Sequence, residues 1–590
     1  MNFFFIDEIL PGISINLRAL SRGTERYRVL LYQHEGVLAF SDGSKLGNLT
    51  DCTPQFRAFL NLARETSADL VMTPEYSCPW TNIREIMEDR SLWPVQGKLW
   101  VLGAESITKE ELRAFHSQYA TDDKIVHFDA TRLQEELTFL NPLVYIFQAS
   151  FGDNRMLVTL VQFKTKHMGV WGGGELERNH LIGGEEVYVL RNNVDSVNLL
   201  TLICSEAMNF PAAMGTAQLT QLGWNDRPFL ILNPQINPDP LYSEFIAFRK
   251  FLFNQERKEL ISLNWNSSSK IGKDALLRGG TSRSGIYLNS NQVRFGDLGR
   301  IRKNHKLGLY YFYFGRDKHA YVLTGKAHAF LIENLSVNIT EGVLAQRMRN
   351  GPEIMETFVL RASNTFVSEA SISDDHRQVL LDLGCRNAFL NSADNCVLEK
   401  ERLVCLSAGK FLSRPNESWS NLDQLFSIRL AESTENSKRV TFVEDTSDES
   451  RDQLKSYMVA VNTLDGEILP DKAQYPSSIA DLKAQPVFLG YGQDVDDDHH
   501  KLIHKERYRY NLMNEDGQMI KATVCYLGMT TTQHAIQTYE FLQSMFEEDS
   551  MNRRRVVVFY KLGLVPLVIA DVDAGRIVVA EERGLSSFLS

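Results

Sequence analysis

Three side chains with complementary chemistry stand where apolar runs end. Glu75 closes "DLVMTPE", Lys164 closes "LVTLVQFK" and Cys204 closes "NLLTLIC". A thiol attacks electrophiles, a carboxylate can take and return its proton, and an ammonium can hold the negative charge that attack creates. In α/β sheets the loops at the carboxyl ends of strands open outward, so groups carried there converge on one crevice. A base, a cation and a thiol can therefore converge on one site. Taken singly, each residue is ordinary. A glutamate after proline commonly caps or faces solvent, a lysine at a strand end is commonly solvated, and a cysteine in an apolar run commonly serves as a small hydrophobe.

The elements that must position them alternate in type. "RYRVLLYQ" (Arg26 to Gln33) is a β-rich run. Thr53-Pro54 reads as a helix cap followed by proline in the first turn, and Phe56, Phe59, Leu60 and Ala63 repeat at helical spacing. "LWVLGAE" predicts a strand, with a helix following near Lys109 to Ser117. "LVYIFQA" and "RMLVTLVQF" flank Phe151-Gly152-Asp153-Asn154 and predict a hairpin. "EVYVL" and "NLLTLIC" form a second pair about Asn192-Asn193. "FLILN" is a further strand, followed by a helix with Leu241, Phe245, Phe248 and Leu252 on one stripe. "ELISLN", "SGIYLN" and "LGLYYFYFG" complete the series. The pattern is α/β, with a sheet that is not purely parallel because hairpins require antiparallel neighbours.

In this order, the three strand ends resemble the nitrilase, or carbon–nitrogen hydrolase, superfamily. The matching stretches are "FRAFLNLARETSADLVMTPEYSCPW", "NPLVYIFQASFGDNRMLVTLVQFKTKHMG" and "LLTLICSEAMNFP". "ELERNHLIGGEEVYVL" is similar to the family's glutamate-to-glycine turn leading into a strand. The resemblance spans residues 24–330 and implies a four-layer αββα sandwich that self-associates, at least as a dimer, through an outer helical layer. It implies Cys204 as nucleophile, Glu75 as general base and acid, and Lys164 as stabiliser of the developing charge. The neighbouring Lys166 is the other choice for the lysine. A second glutamate would orient Lys164 or water; Glu177 fits by its distance to Gly183-Gly184, with Glu175 behind it. Tyr76, Glu206, Asn233 and Trp265 would border the substrate. Ser205 departs from the family, which usually carries an aromatic or bulky residue after the cysteine, while Glu206 keeps the acidic position. No cofactor is implied.

Other signals point to less. "GVWGGGELE" and "KIGKD" lack the Gly-Lys-Ser/Thr of a phosphate loop. His167 and His180 have no context favouring a Cys-His pair with Cys204. "DVDDDHHKLIHKER" sets His500 and His504 one helical turn apart, but an acidic solvated loop is the simpler reading, so no metal is expected.

Composition bounds the rest. At 590 residues, with 43% hydrophobic and 23% charged residues, the chain reads as a multidomain globular protein. Its net charge of −11 argues against a general nucleic-acid-binding surface. No run is apolar for long enough to span a bilayer, and the start "MNFFFIDEILPG" lacks the basic region of a secretory signal. Seven scattered cysteines without a CxxC pair suggest a reducing, cytoplasmic setting.

The expected organisation is an N-terminal arm (1–23), the hydrolase-like domain (24–335), a linker or extension (336–450) that is rich in Ser, Asn, Asp and Glu over 414–450, and a C-terminal α+β domain (451–590) with strands at "YMVAVNT", "MIKATVCYLG", "RRRVVVFYKLG" and "LVPLVIADV". Two readings compete with a plain amide or nitrile hydrolase. One is a regulated effector or scaffold in a multi-protein bacterial system, phage defence included, whose C-terminal half senses or docks a protein partner. The other is a glutaminase half feeding a synthetase, which the missing nucleotide loop disfavours.

Overall fold

The computed structural model describes residues 1–372 apart from short stretches, the longest being 277–283 and 290–302. Beyond these it describes a few residues at 403–409, then 456–490 (except 458), 509–572 and 576–579. The stretch holding His500 and His504, and the polar segment 414–450, lie outside the described residues. The chain divides into two compact units; the first comprises Met1–Val293, Lys303–Tyr311 and Asp317–Ser373.

Two large sheets dominate the described residues of the first unit. In one, the strands Arg26–Tyr32, Leu70–Met72 and Leu99–Gly103 run parallel. Pro142–Phe151 then pairs antiparallel to Leu99–Gly103, and its hairpin partner Asn154–Phe163 pairs parallel to Lys124–Phe128. On the other side, Ala329–Glu341 pairs antiparallel with Arg26–Tyr32 and with Leu344–Leu360. The second sheet is centred on the parallel strands Asn198–Thr201, Phe229–Pro234 and Lys258–Leu263. Glu186–Leu190 and Gly285–Asn289 flank them antiparallel.

Strand alternation sorts the side chains between two destinations. Val144, Ile146 and Val161 join Val71 and Trp100 in a core with Phe56, Phe59 and Leu60 of the helix Thr53–Glu65 and Ile83 of the helix Trp80–Glu88. The alternate positions face the second sheet. Tyr145 donates to Gln162 Oε1, and Gln162 Nε2 donates to the Thr201 carbonyl. Tyr27 donates to Glu259 Oε1 across the same interface. The second sheet carries its own helices, with Phe210 of Glu206–Ala213 packed edge-on against Phe3, Trp224 and Phe248.

Several expectations shift. Within the N-terminal arm (1–23), Asn2–Phe5 is a strand parallel to Glu186–Leu190, and burial of Phe3 and Phe5 holds it there. The expected boundary at 335 falls inside the strand Ala329–Glu341. Thr53 is the first helical residue rather than the cap, and its N–H is taken by Asp51 Oδ1. "YMVAVNT" is helical, not a strand, where described. Its buried positions Tyr457, Ala460 and Val461, with Leu464 just after it, follow helical spacing, while Val459 is exposed.

The second unit comprises Arg294–Arg302, Phe312–Arg316 and Asp374–Ser590. In it, Thr523–Met529 pairs parallel with Val556–Leu562 through the intervening helix Thr532–Ser544, and Val565–Val572 returns antiparallel. Among the described residues, no helix is long and apolar enough to cross a membrane.

Candidate active site

Glu75, Lys164 and Cys204 come from three separate strand ends. Glu75 lies three residues past Leu70–Met72, Lys164 directly follows Asn154–Phe163, and Cys204 lies three residues past Asn198–Thr201. Two glycines permit close packing behind two of these ends. A Cβ on Gly103 would lie 2.1 Å from the Pro74 carbonyl oxygen, and one on Gly184 would lie 2.4 Å from that of Phe163. Both Tyr76 (φ 57°) and Cys204 (φ 43°) adopt left-handed backbone, which a side chain makes costly and which tends to occur where geometry serves function.

The side chains meet in a buried cluster. Lys164 Nζ donates to Glu75 Oε1 at 2.7 Å and to Glu177 Oε1 and Oε2 at 3.0 and 3.1 Å. All three side chains are fully buried. Tyr76 donates to Glu177 Oε1 at 2.6 Å. Asn141 Nδ2 donates to Glu75 Oε1 at 2.7 Å, and the Ile236 N–H donates to Glu75 Oε2 at 3.1 Å. Cys204 is 2% exposed, and its Sγ lies 4.0 Å from the carbonyl oxygen of Ile236, the residue whose N–H binds Glu75.

The electrostatics follow from two carboxylates sharing one ammonium out of water. Burial raises the Glu75 carboxyl, and the Lys164 charge pulls it back only in part. Burial works against the Lys164 ammonium, but Glu177 and Glu75 overcome it and hold the lysine above its ordinary range. Burial pushes the Cys204 thiol well up, and the neighbouring Glu75 pushes it further. The thiol therefore rests protonated beside a carboxylate of raised basicity, an arrangement suited to proton transfer during attack rather than to a standing thiolate.

The alternatives to these residues point elsewhere. Lys166 and Glu175 are exposed, whereas Lys164 and Glu177 are buried together. The four residues expected to border substrate are all engaged within the protein. Tyr76 binds Glu177, Trp265 Nε1 donates to the Glu75 carbonyl at 2.7 Å, and Asn233 Nδ2 donates to the Leu202 carbonyl at 2.6 Å. Both oxygens of Glu206 accept backbone N–H groups. Asn141 was not among the expected residues. Its signal is the hairpin register: Pro142 pairs with Phe163, so the residue before one strand must lie beside the residue after the other. Lys164 N–H indeed donates to the Asn141 carbonyl at 2.9 Å. Among the described residues, no cluster of three or more His, Cys, Asp or Glu could hold a metal ion.

No family model and no curated protein matches the chain. Among solved structures it is similar to an amidase from Nesterenkonia sp., with 16% identity and a TM-score of 0.24, over 45% of this chain and 84% of that one. A variant of that amidase with acrylamide added at its active-site cysteine aligns at 14% identity and a TM-score of 0.24, over 44% and 84%. Another, in complex with butyramide, aligns at 14% and 0.25, over 45% and 84%.

Proposed function

We propose that the first unit is a nitrilase-like αββα sandwich that hydrolyses the carbon–nitrogen bond of a small amide or nitrile, with Cys204 as nucleophile. The observation that carries this reading is a buried ammonium, Lys164, bonded to two buried carboxylates beside a thiol held in left-handed backbone. A purely structural role would leave two carboxylates competing for one cation in the interior, which is costly without a compensating use.

The chemistry follows from the groups. With an amide, the Cys204 sulfur bonds to the carbonyl carbon as its proton passes to Glu75, and Lys164 holds the oxygen that becomes negative. The carbon–nitrogen bond then breaks, and Glu75 hands its proton to the departing amine, leaving a thioester. Water attacks the thioester carbon, its proton goes to Glu75, and the carbon–sulfur bond breaks. The thiolate regains the proton, so the net change is amide plus water to acid plus amine. A nitrile uses one further water, consumed in hydrolysing the initial thioimidate. Glu177, which accepts from Tyr76 and Lys164, holds the ammonium in place. The resemblance also favours self-association, at least as a dimer, and the scattered cysteines favour a reducing, cytoplasmic setting.

Ammonia release from a panel of primary amides and nitriles, compared between the wild type and Cys204→Ala, tests the reading. Wild type should turn over at least one compound and form an acyl adduct on Cys204 detectable by intact mass; the Ala variant should do neither. A wild type that releases no ammonia, or a Cys204→Ala protein that still does, overturns it.

A further inference from the structure

We infer that Ser205 and Glu206 form a clip that sets the distance between the cysteine turn and the lysine turn, making both positioning residues for the reaction proposed above, on which this inference rests. The strand before Lys164 and the strand before Cys204 belong to different sheets, so no backbone ladder joins them. Their spacing has to be set by side chains.

Glu206 sits where it can do this. Its Oε1 accepts the N–H of Thr165, the residue after Lys164, at 2.5 Å. Its Oε2 accepts the N–H of Ile203, the residue before Cys204, at 2.6 Å. One fully buried carboxylate therefore grips the peptide next to each of the two reacting side chains. Ser205 adds a third tie between the same segments, donating from Oγ to the Lys166 carbonyl at 2.9 Å. An aromatic residue at 205 would lack the hydroxyl that reaches Lys166.

The choice of a carboxylate is informative. A glutamine offers one acceptor oxygen, and its NH2 would confront the second N–H. A buried carboxylate costs desolvation, and charge-assisted bonds to two N–H groups are what offset it. Burial still pushes the Glu206 carboxyl up to about 7. An ionisable group kept there for packing alone would be better replaced by an apolar one.

The test is alkylation of Cys204 by iodoacetamide in the full-length protein, followed by site-resolved mass spectrometry and run beside the amide assay. Glu206→Gln should slow Cys204 alkylation at least about tenfold, and Ser205→Ala about threefold, with kcat for the amide falling in parallel and KM little changed. In a Glu75→Gln background, Glu206→Gln should add little further, because the clip places Cys204 against the turn of Lys164, whose ammonium binds Glu75. Leu112→Ala, a core truncation in the separate helix Lys109–Tyr119, serves as a stability control and should lower the melting temperature while leaving Cys204 alkylation within about twofold. Should Glu206→Gln fail to fold, Ser205→Ala alone carries the decision. Wild-type alkylation rates in the clip variants, or a slowing that Leu112→Ala reproduces, overturn the inference. If wild-type Cys204 alkylates but no amide is turned over, the hydrolase reading fails while the clip is still judged by the alkylation ratios. If wild-type Cys204 does not alkylate at all, the clip fails as well.

Discussion

Lys164 Nζ lies 2.7 Å from Glu75 Oε1 while also reaching both oxygens of Glu177, so one ammonium neutralises parts of two buried carboxylates. This relationship ties activity to stability. Lys164→Met would remove the charge stabiliser and also strand two carboxylates in the interior. Activity should fall by roughly a hundredfold or more, and stability by about 3–5 kcal/mol. Lys166→Met, at an exposed position, should change neither by much. Steady-state ammonia release and urea unfolding of both variants check this; loss of activity in Lys166→Met alone would reverse the assignment.

Asn141 and Lys164 share one oxygen of Glu75, which leaves the other to the Ile236 N–H. The Asn141 bond favours the ionised carboxylate, so removing it should raise the Glu75 carboxyl further. In Asn141→Ala, the acid limb of kcat/KM should therefore move to higher pH, with kcat about tenfold lower. An unmoved acid limb would show that Asn141 does not tune Glu75.

The close packing behind Glu75 makes Gly103 intolerant. Gly103→Ala would drive a methyl into the Pro74 carbonyl, so the strand ends must separate. A loss of about 2–3 kcal/mol is expected, with a fall in activity as Glu75 shifts. Gly152, at the exposed hairpin tip with open space around its Cβ position, is the contrast. Gly152→Ala meets only the left-handed backbone cost of about 1 kcal/mol and should leave turnover intact. Equal losses in the two variants would mean the Pro74 contact is relieved without strain.

Much of the site was legible because strand ends announce themselves: Glu75, Lys164 and Cys204 each follow an apolar run, and the structure brings them together. What the sequence hid are the connections made at right angles to the chain. Glu206 looked like a substrate contact because it neighbours the cysteine, yet its oxygens face backbone groups from two sheets. Asn141 sits between the two-residue strand Phe139–Leu140 and the strand Pro142–Phe151, without a long apolar run before it to mark it, although the hairpin register that sets Pro142 opposite Phe163 places it beside Lys164. In "YMVAVNT" the i, i+3, i+4, i+7 spacing of Tyr457, Ala460, Val461 and the following Leu464 carries helical information that a strand reading passes over.

His34 supplies a pH dependence that belongs to the fold rather than to the proposed reaction. Its ring is fully buried between Trp265 and Phe56, with Nε2 2.6 Å from Asn48 Oδ1 and Nδ1 3.3 Å from the Tyr32 hydroxyl. Burial lowers the imidazole to about 4, and the Asn48 bond offsets only part of that. The unfolded chain binds this proton near 6.5 and the folded chain only near 4. The neutral ring's contribution is thus present above pH 6.5 and lost as pH falls toward 4. Its size is on the order of 3 kcal/mol. Replacing His34 by Gln, which cannot take up the proton, should flatten this part of the stability–pH curve measured by urea unfolding between pH 7 and 4. A curve of unchanged slope in His34→Gln would assign the acid sensitivity to other groups. Because Trp265 also donates to the Glu75 carbonyl, the same titration should loosen the backbone beneath the proposed base before the unit unfolds. Tryptophan fluorescence shifting at a higher pH than global unfolding is the expected sign.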